Sequence, residues 1–157
     1  MSMTLLVATW LAGCTNPGQQ AAADYVRRIQ PLLLENSALA EQMLVQSAAI
    51  YNEAAGPKDV AVTWETTIVP MSEHLAAQAS FVPVPTEYQA THQSLVQIWT
   101  DRALAYRAMS EATRTANAEL WNAARSKADQ VKANENAFFR DLNVQLTPLH
   151  LQVDPYP

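Results

Sequence analysis

Glycine is nearly missing from this chain, and the place where it stops decides what the chain can become. The three glycines are Gly13, Gly18 and Gly56, and residues 87–145 contain neither glycine nor proline. Nothing in that stretch breaks a helix, and as one rod it would extend about 90 Å at 1.5 Å per residue. A turn is expected instead over 112–117, where apolar residues thin out and Thr113, Thr115 and Asn117 can satisfy free helix-end amides. The continuous rod is the alternative. Two seams at three- and four-residue spacing flank this turn. Tyr88, His92, Leu95, Trp99, Arg102, Tyr106 and Met109 form the first; Leu120, Ala124, Val131, Phe138 and Leu142 form the second, with Trp121 and Ala128 beside it.

Upstream, residues 19–55 predict a first helix on Val26, Ile29, Leu33, Asn36, Ala40, Met43, Ser47 and Ile50. Pro31 predicts a kink there or a late start near Gln30. Gly56-Pro57 reads as its stop, and Asp59 as the N-cap of a second helix over 60–81. That helix carries Val60, Trp64, Ile68, Met71, Leu75, Gln78 and Val82 on one face, with a second kink at Pro70. Val82-Pro83-Val84-Pro85 predicts an extended connector, and Thr86 a cap for the third helix. Thr147-Pro148 stops the fourth. Leu149, Leu151 and Val153 then alternate with His150, Gln152 and Asp154, which predicts an extended tail along the bundle with Tyr156 tucked in. The fold expected is all-α: one domain over 21–157, an antiparallel up-down-up-down four-helix bundle with proline-kinked helices 1 and 2 and an extended C-terminal tail.

Composition removes several function classes. The single cysteine excludes an internal disulfide framework, and no CxxC or CxxCH occurs, so zinc ribbons and c-type haem attachment are out. Glycine-rich phosphate loops and dinucleotide fingerprints are absent with the glycines. Residues 15–87 hold three basic against eight acidic side chains, and residues 88–157 hold seven of each. Neither half suits nucleic acid.

The cysteine itself, Cys14, closes Leu11-Ala12-Gly13-Cys14 at the end of the apolar run 5–11. That stretch resembles the lipobox of bacterial lipoproteins, and the resemblance covers the first fourteen residues only. The apolar run is shorter than the roughly 20 residues a bilayer core requires, and small residues precede the cut. The resemblance implies cleavage before Cys14, a diacylglyceryl thioether with palmitate-type chains on its sulfur, residues 1–13 as signal peptide and 14–20 as a lipidated, turn-rich tether. It also implies an envelope location on the periplasmic or outer-surface face of a bacterial membrane, and the outer membrane because no Asp follows the cysteine. Residues 1–11 carry no Lys or Arg where such leaders carry a basic start. That leaves an upstream start open. Read without the resemblance, Cys14 is a small hydrophobe of a buried helix.

Folding the chain back at its turns places Asn36, His74, Gln78, His92 and Glu135 in one band of the bundle, within about a turn of helix. Two readings stand beside each other. Imidazoles and a carboxylate can converge on a metal, a haem or a polar ligand; equally, they can be core polar groups satisfied by neighbours. The Glu-x-x-His pairs of di-iron bundles are missing, since Glu73 and His74 are adjacent and Glu87 lies five residues before His92. Trp64, Trp99, Trp121 and Tyr106 read either as an apolar pocket or as the bulk of the core. Arg102, Arg107, Arg114, Arg125, Lys127 and Lys132 interleave with acids and read as a solvated face. No GxSxG elbow or activated cysteine points to an enzyme. The expectation is a lipid-anchored, extracytoplasmic binding or accessory subunit with a protein partner. The alternative is a small-ligand, metal or haem binder using His74, His92 and Glu135.

Overall fold

A computed structural model describes residues 16–52 and 56–156; the expected signal peptide and Cys14 lie outside them. All regular structure among the described residues is helical, with no strand among them. Helix α1 (Pro17–Tyr51) is followed by α2 (Pro57–Thr63), a π turn (Trp64–Ile68) and α3 (Val69–Phe81), which run on as one rod. Helices α4 (Gln89–Arg114) and α5 (Ala118–Leu146) complete a set of four rods. The central member is α4, which packs against both α3 and α5, while α1 packs on α3 and on the 3-10 turn Thr86–Tyr88.

Several boundaries differ from expectation for identifiable reasons. The tether expected through Gln20 becomes helix at Pro17, because proline at a helix start sacrifices no hydrogen bond. Helix α1 is helical on both sides of Pro31, so the late start near Gln30 does not occur. Gly56 and Pro57 open the second rod and do not close the first: Pro57 is its first residue, and the Gly56 N–H donates to Asp59 Oδ2 at 3.1 Å. Asp59 is therefore a third-position partner and not the cap itself. Thr86 begins a 3-10 turn and offers no side-chain cap.

Around Pro70 the helix widens before the proline. Pro70 has no N–H to return to the carbonyl four residues back, and the Val69 N–H reaches five residues back to Trp64 instead. The extra residue in that turn rotates every later side chain by about 100° relative to a regular helix. Buried positions downstream become Val69, Ser72, Leu75, Ala76 and Ala79, while Met71 is half-buried and Gln78 is in solvent. Trp64 and Ile68, at the two ends of the π turn, are both buried.

The hairpin of α4 and α5 follows the expected turn. Asn117 Oδ1 accepts from the Leu120 N–H at 3.0 Å, and the end of α4 is closed by two backbone bonds, Asn117 N–H to the Ala112 carbonyl at 2.9 Å and Ala116 N–H to Thr113 at 3.3 Å. This is a Schellman closure, whose pivot takes a left-handed conformation usually given to glycine. Here Ala116 occupies it with φ 51°. His150 does the same at φ 59° after α5, with Leu151 N–H bonded to Leu146 and His150 N–H to Thr147.

Beyond His150 the tail is extended, and Val153 is buried while Gln152 and Asp154 are exposed. Amide side chains hold it. Asn143 donates to the Val153 carbonyl at 2.9 Å and accepts its N–H at 2.8 Å, replacing the missing strand neighbour, and Asn36 Nδ2 donates to the Pro155 carbonyl at 3.0 Å.

Because Cβ crowding in the left-handed region costs about 1–2 kcal/mol, Ala116→Gly is expected to stabilise the fold by roughly 0.5–1 kcal/mol. Urea unfolding reads this as a higher midpoint at unchanged slope; a midpoint at or below that of the parent chain contradicts the assignment.

Candidate functional site

The α4–α5 seam brings two charges into the interior. Trp99 and Arg102, three residues apart, share the buried face of α4, and Glu135 occupies a seam position of α5 between Val131 and Phe139. Glu135 is 2% exposed and Arg102 6%. At that depth an unpaired carboxylate would cost several kcal/mol, so its partners matter. Arg102 Nη1 donates to both oxygens, at 3.1 and 3.2 Å, and Trp99 Nε1 donates to Oε1 at 2.7 Å. The Tyr156 hydroxyl lies 3.4 Å from Oε2. The guanidinium carbon also sits 5.7 Å from the centre of the Trp99 ring, within cation–π range. Arg102 is thus a core residue, against the solvated-face expectation.

Glu135 is well supplied, but Arg102 is not. Its Nε and Nη2 are buried without a hydrogen-bond partner in the protein, and so is Trp64 Nε1. These residues line a cleft of about 590 Å³ between the second half of α1, the π turn, α4 and α5. Such a volume falls within the range of about 300–1,000 Å³ common for small-molecule sites. The wall is aromatic and apolar. Trp64 stands edge-on to Tyr106 at 5.5 Å and to Trp121 at 6.2 Å, and Leu39, Met43 and Met109 continue the surface. Arg125, Asp129 and Lys132, all exposed, form a rim on α5, and Tyr156 from the tail completes the lining. Burial raises the Tyr106 phenol, with Arg102 pulling it down and Glu135 pushing it up. Burial, then the Glu135 charge, pushes Tyr156 up to about 12.

The five residues expected as one band are not gathered. Only Glu135 belongs to the cleft. Asn36 is buried but spends its amide on the tail. His74 and Gln78 are exposed on α3, 3.5 Å apart, carried out of the core by the residue the π turn adds. His92 is buried with Nε2 at 2.8 Å from the Ala79 carbonyl; a carbonyl only accepts, so Nε2 holds the proton and the ring ties α4 to the last turn of α3. Tyr25 meets that ring edge-on at 5.9 Å and stacks on Tyr88 at 4.6 Å. Among the described residues no three His, Cys, Asp or Glu side chains gather to hold a metal. Sequence reasoning found both halves of the ion pair and missed the pairing: Arg102 stood on a seam, and Glu135 stood in the polar band.

Comparison with protein-family models, with curated proteins and with solved structures finds no match for this chain.

Glu135→Leu alone is expected to cost about 3–5 kcal/mol, because it leaves the Arg102 charge buried and uncompensated, whereas Arg102→Met with Glu135→Leu recovers most of that loss. Denaturant unfolding of the parent, single and double variants checks the pattern. Equal losses in single and double contradict it. The raised phenols make a second prediction. A group whose folded pKa lies above its ordinary 10.0 contributes stability that is whole below that value and vanishes as pH climbs through the folded value, about 12 for Tyr156. Stability is expected to fall between pH 10 and 12, and Tyr156→Phe to delete the phenolate absorbance step near the top of that window.

Proposed function

We propose that this chain is an envelope lipoprotein whose helical body works by binding. A lipid on Cys14 would hold it at a bacterial membrane, as the Leu11-Ala12-Gly13-Cys14 pattern implies, and the cleft over Arg102 and Glu135 would be its working surface. Among the described residues no helix is long and apolar enough to cross a membrane. The observation that carries the binding reading is the cleft itself. It couples an aromatic wall to a buried charged floor that retains unpartnered donors. A ligand acceptor that reached these donors would offset part of the cost, about 1–3 kcal/mol, that each unsatisfied buried group carries. A small ligand is the occupant that this size supports best, and an accessory role beside a protein partner is compatible with it.

The body is read as an up-down-up-down bundle, kinked at Pro31 and Pro70. Support comes from the α4–α5 hairpin and from the π turn just before Pro70. A four-rod body has room for a cleft only where its rods splay, and two bent rods beside each other provide that.

The tether is tested with Cys14→Ala. The parent protein is expected to remain with membranes after a high-salt wash, and the variant to leave them. A variant that stays membrane-bound, or an intact mass showing a free thiol with the leader still attached, would overturn the anchoring.

A further inference from the structure

We infer that the cleft binds an acidic amphiphile, a single carboxylate on an apolar body of fatty-acid type, with Arg102 as the residue that recognises the head. The inference rests on the reading of the cleft as a ligand site and adds the chemical class.

The argument starts from which atoms are unpartnered. At the cleft these are Arg102 Nε, Arg102 Nη2 and Trp64 Nε1, and all three are donors. A ligand that satisfies them must bring acceptors. Nε and Nη2 are moreover one edge of the guanidinium, the edge on which two N–H bonds run parallel and match the two oxygens of a carboxylate. Glu135 uses only Nη1, at 3.1 and 3.2 Å, and leaves that edge untouched. Arg102 is 6% exposed, pinned by Glu135 and by the Trp99 ring, so it is already oriented and surrenders little rotational freedom on binding.

Charge selects a monoanion. The Arg102 and Glu135 charges cancel at the floor. At the rim Arg125 and Lys132 outnumber Asp129, and none of the three forms an ion pair among the described residues. A cationic head would face this excess, with Asp129 at the rim as its one unpaired carboxylate. Floor and rim together carry one net positive charge, which a monoanion balances and a doubly charged head exceeds. The walls select the rest of the molecule. Trp64, Tyr106, Trp121 and Met109 offer ring faces, ring edges and a flexible thioether to an alkyl or aryl body.

The test uses the full-length chain carrying Cys14→Ser, so that no attached lipid competes, titrated calorimetrically with decanoate below its micellar concentration. Decan-1-ol and decyltrimethylammonium give the same chain with a neutral or a cationic head. Decanoate is expected to bind at least roughly tenfold more tightly than either. Ala128→Trp, which fills the cleft from a half-buried wall position, is expected to abolish decanoate binding with helix content and melting unchanged. Arg102→Met with Glu135→Leu is expected to bring decanoate down to the level of decanol. Equal binding of decanoate and decanol by the parent chain overturns the acidic class and leaves the cleft as a ligand site. Binding of none of the three overturns both readings. Undiminished decanoate binding by Ala128→Trp overturns the location.

Discussion

A carboxylate that is almost wholly withdrawn from water sets the conditions for the rest of this molecule. Glu135 can occupy the α5 seam only because Arg102 and Trp99 approach it from α4, with Tyr156 completing its surroundings from the tail. That requirement fixes how α4 and α5 lie along each other. A slide of one helical turn would part both charges from these partners, at a cost of several kcal/mol. Hydrophobic seams alone tolerate such slides, because one Leu packs much like the next. The ion pair therefore supplies register, and the apolar residues around it supply most of the stability.

The second constraint comes from Pro70. By withholding one N–H it favours the π turn over Trp64–Ile68, and the added residue turns α3 onto a different face. Trp64, at the start of that turn, stays on the buried face of Val60 and stands in the cleft beside Tyr106 and Trp121. The consequence lies downstream: small residues, Ser72, Ala76 and Ala79, line the buried side of α3 and let α4 come close. The Ala79 carbonyl then meets His92. The buried imidazole thus traces to one missing hydrogen-bond donor.

Much of the architecture was legible in the sequence, because the periodicity of α4 and α5 is unbroken and Asn117 marks their turn. The seam from His92 to Met109 lies inward where spacing put it, with Tyr106 half-buried, whereas on α5 the buried ring is Phe139 and not the expected Phe138. What failed was anything that assumed regular helix across a proline. Met71 and Gln78 were expected on the core face, and the π turn moved that face by one residue to Ser72 and Ala79. The polar band failed with it, since His74 went outward with Gln78. Folding the chain back at its turns put His92 in one band with Glu135, whereas Trp99 and Arg102 are the true neighbours of Glu135. Helical side chains lean toward their own N-terminus, and the turn residues 115–117 add length that simple reflection ignores. Asn36 and Asn143 illustrate a further limit. A buried asparagine announces that something polar needs it, but nothing local says that the object is the chain's own end.

The shortage of glycine has an effect outside the folded state. Glycine widens the range of conformations an unstructured chain explores, and each one lost on folding is paid for in entropy. From residue 57 onward this chain has none, so its denatured ensemble is stiffer than that of an ordinary sequence of equal length. Ala116 and His150 are strained at their turns, yet alanine and histidine confine the disordered chain more than glycine would. Part of the stability of this helical body is set by the freedom its unfolded form lacks.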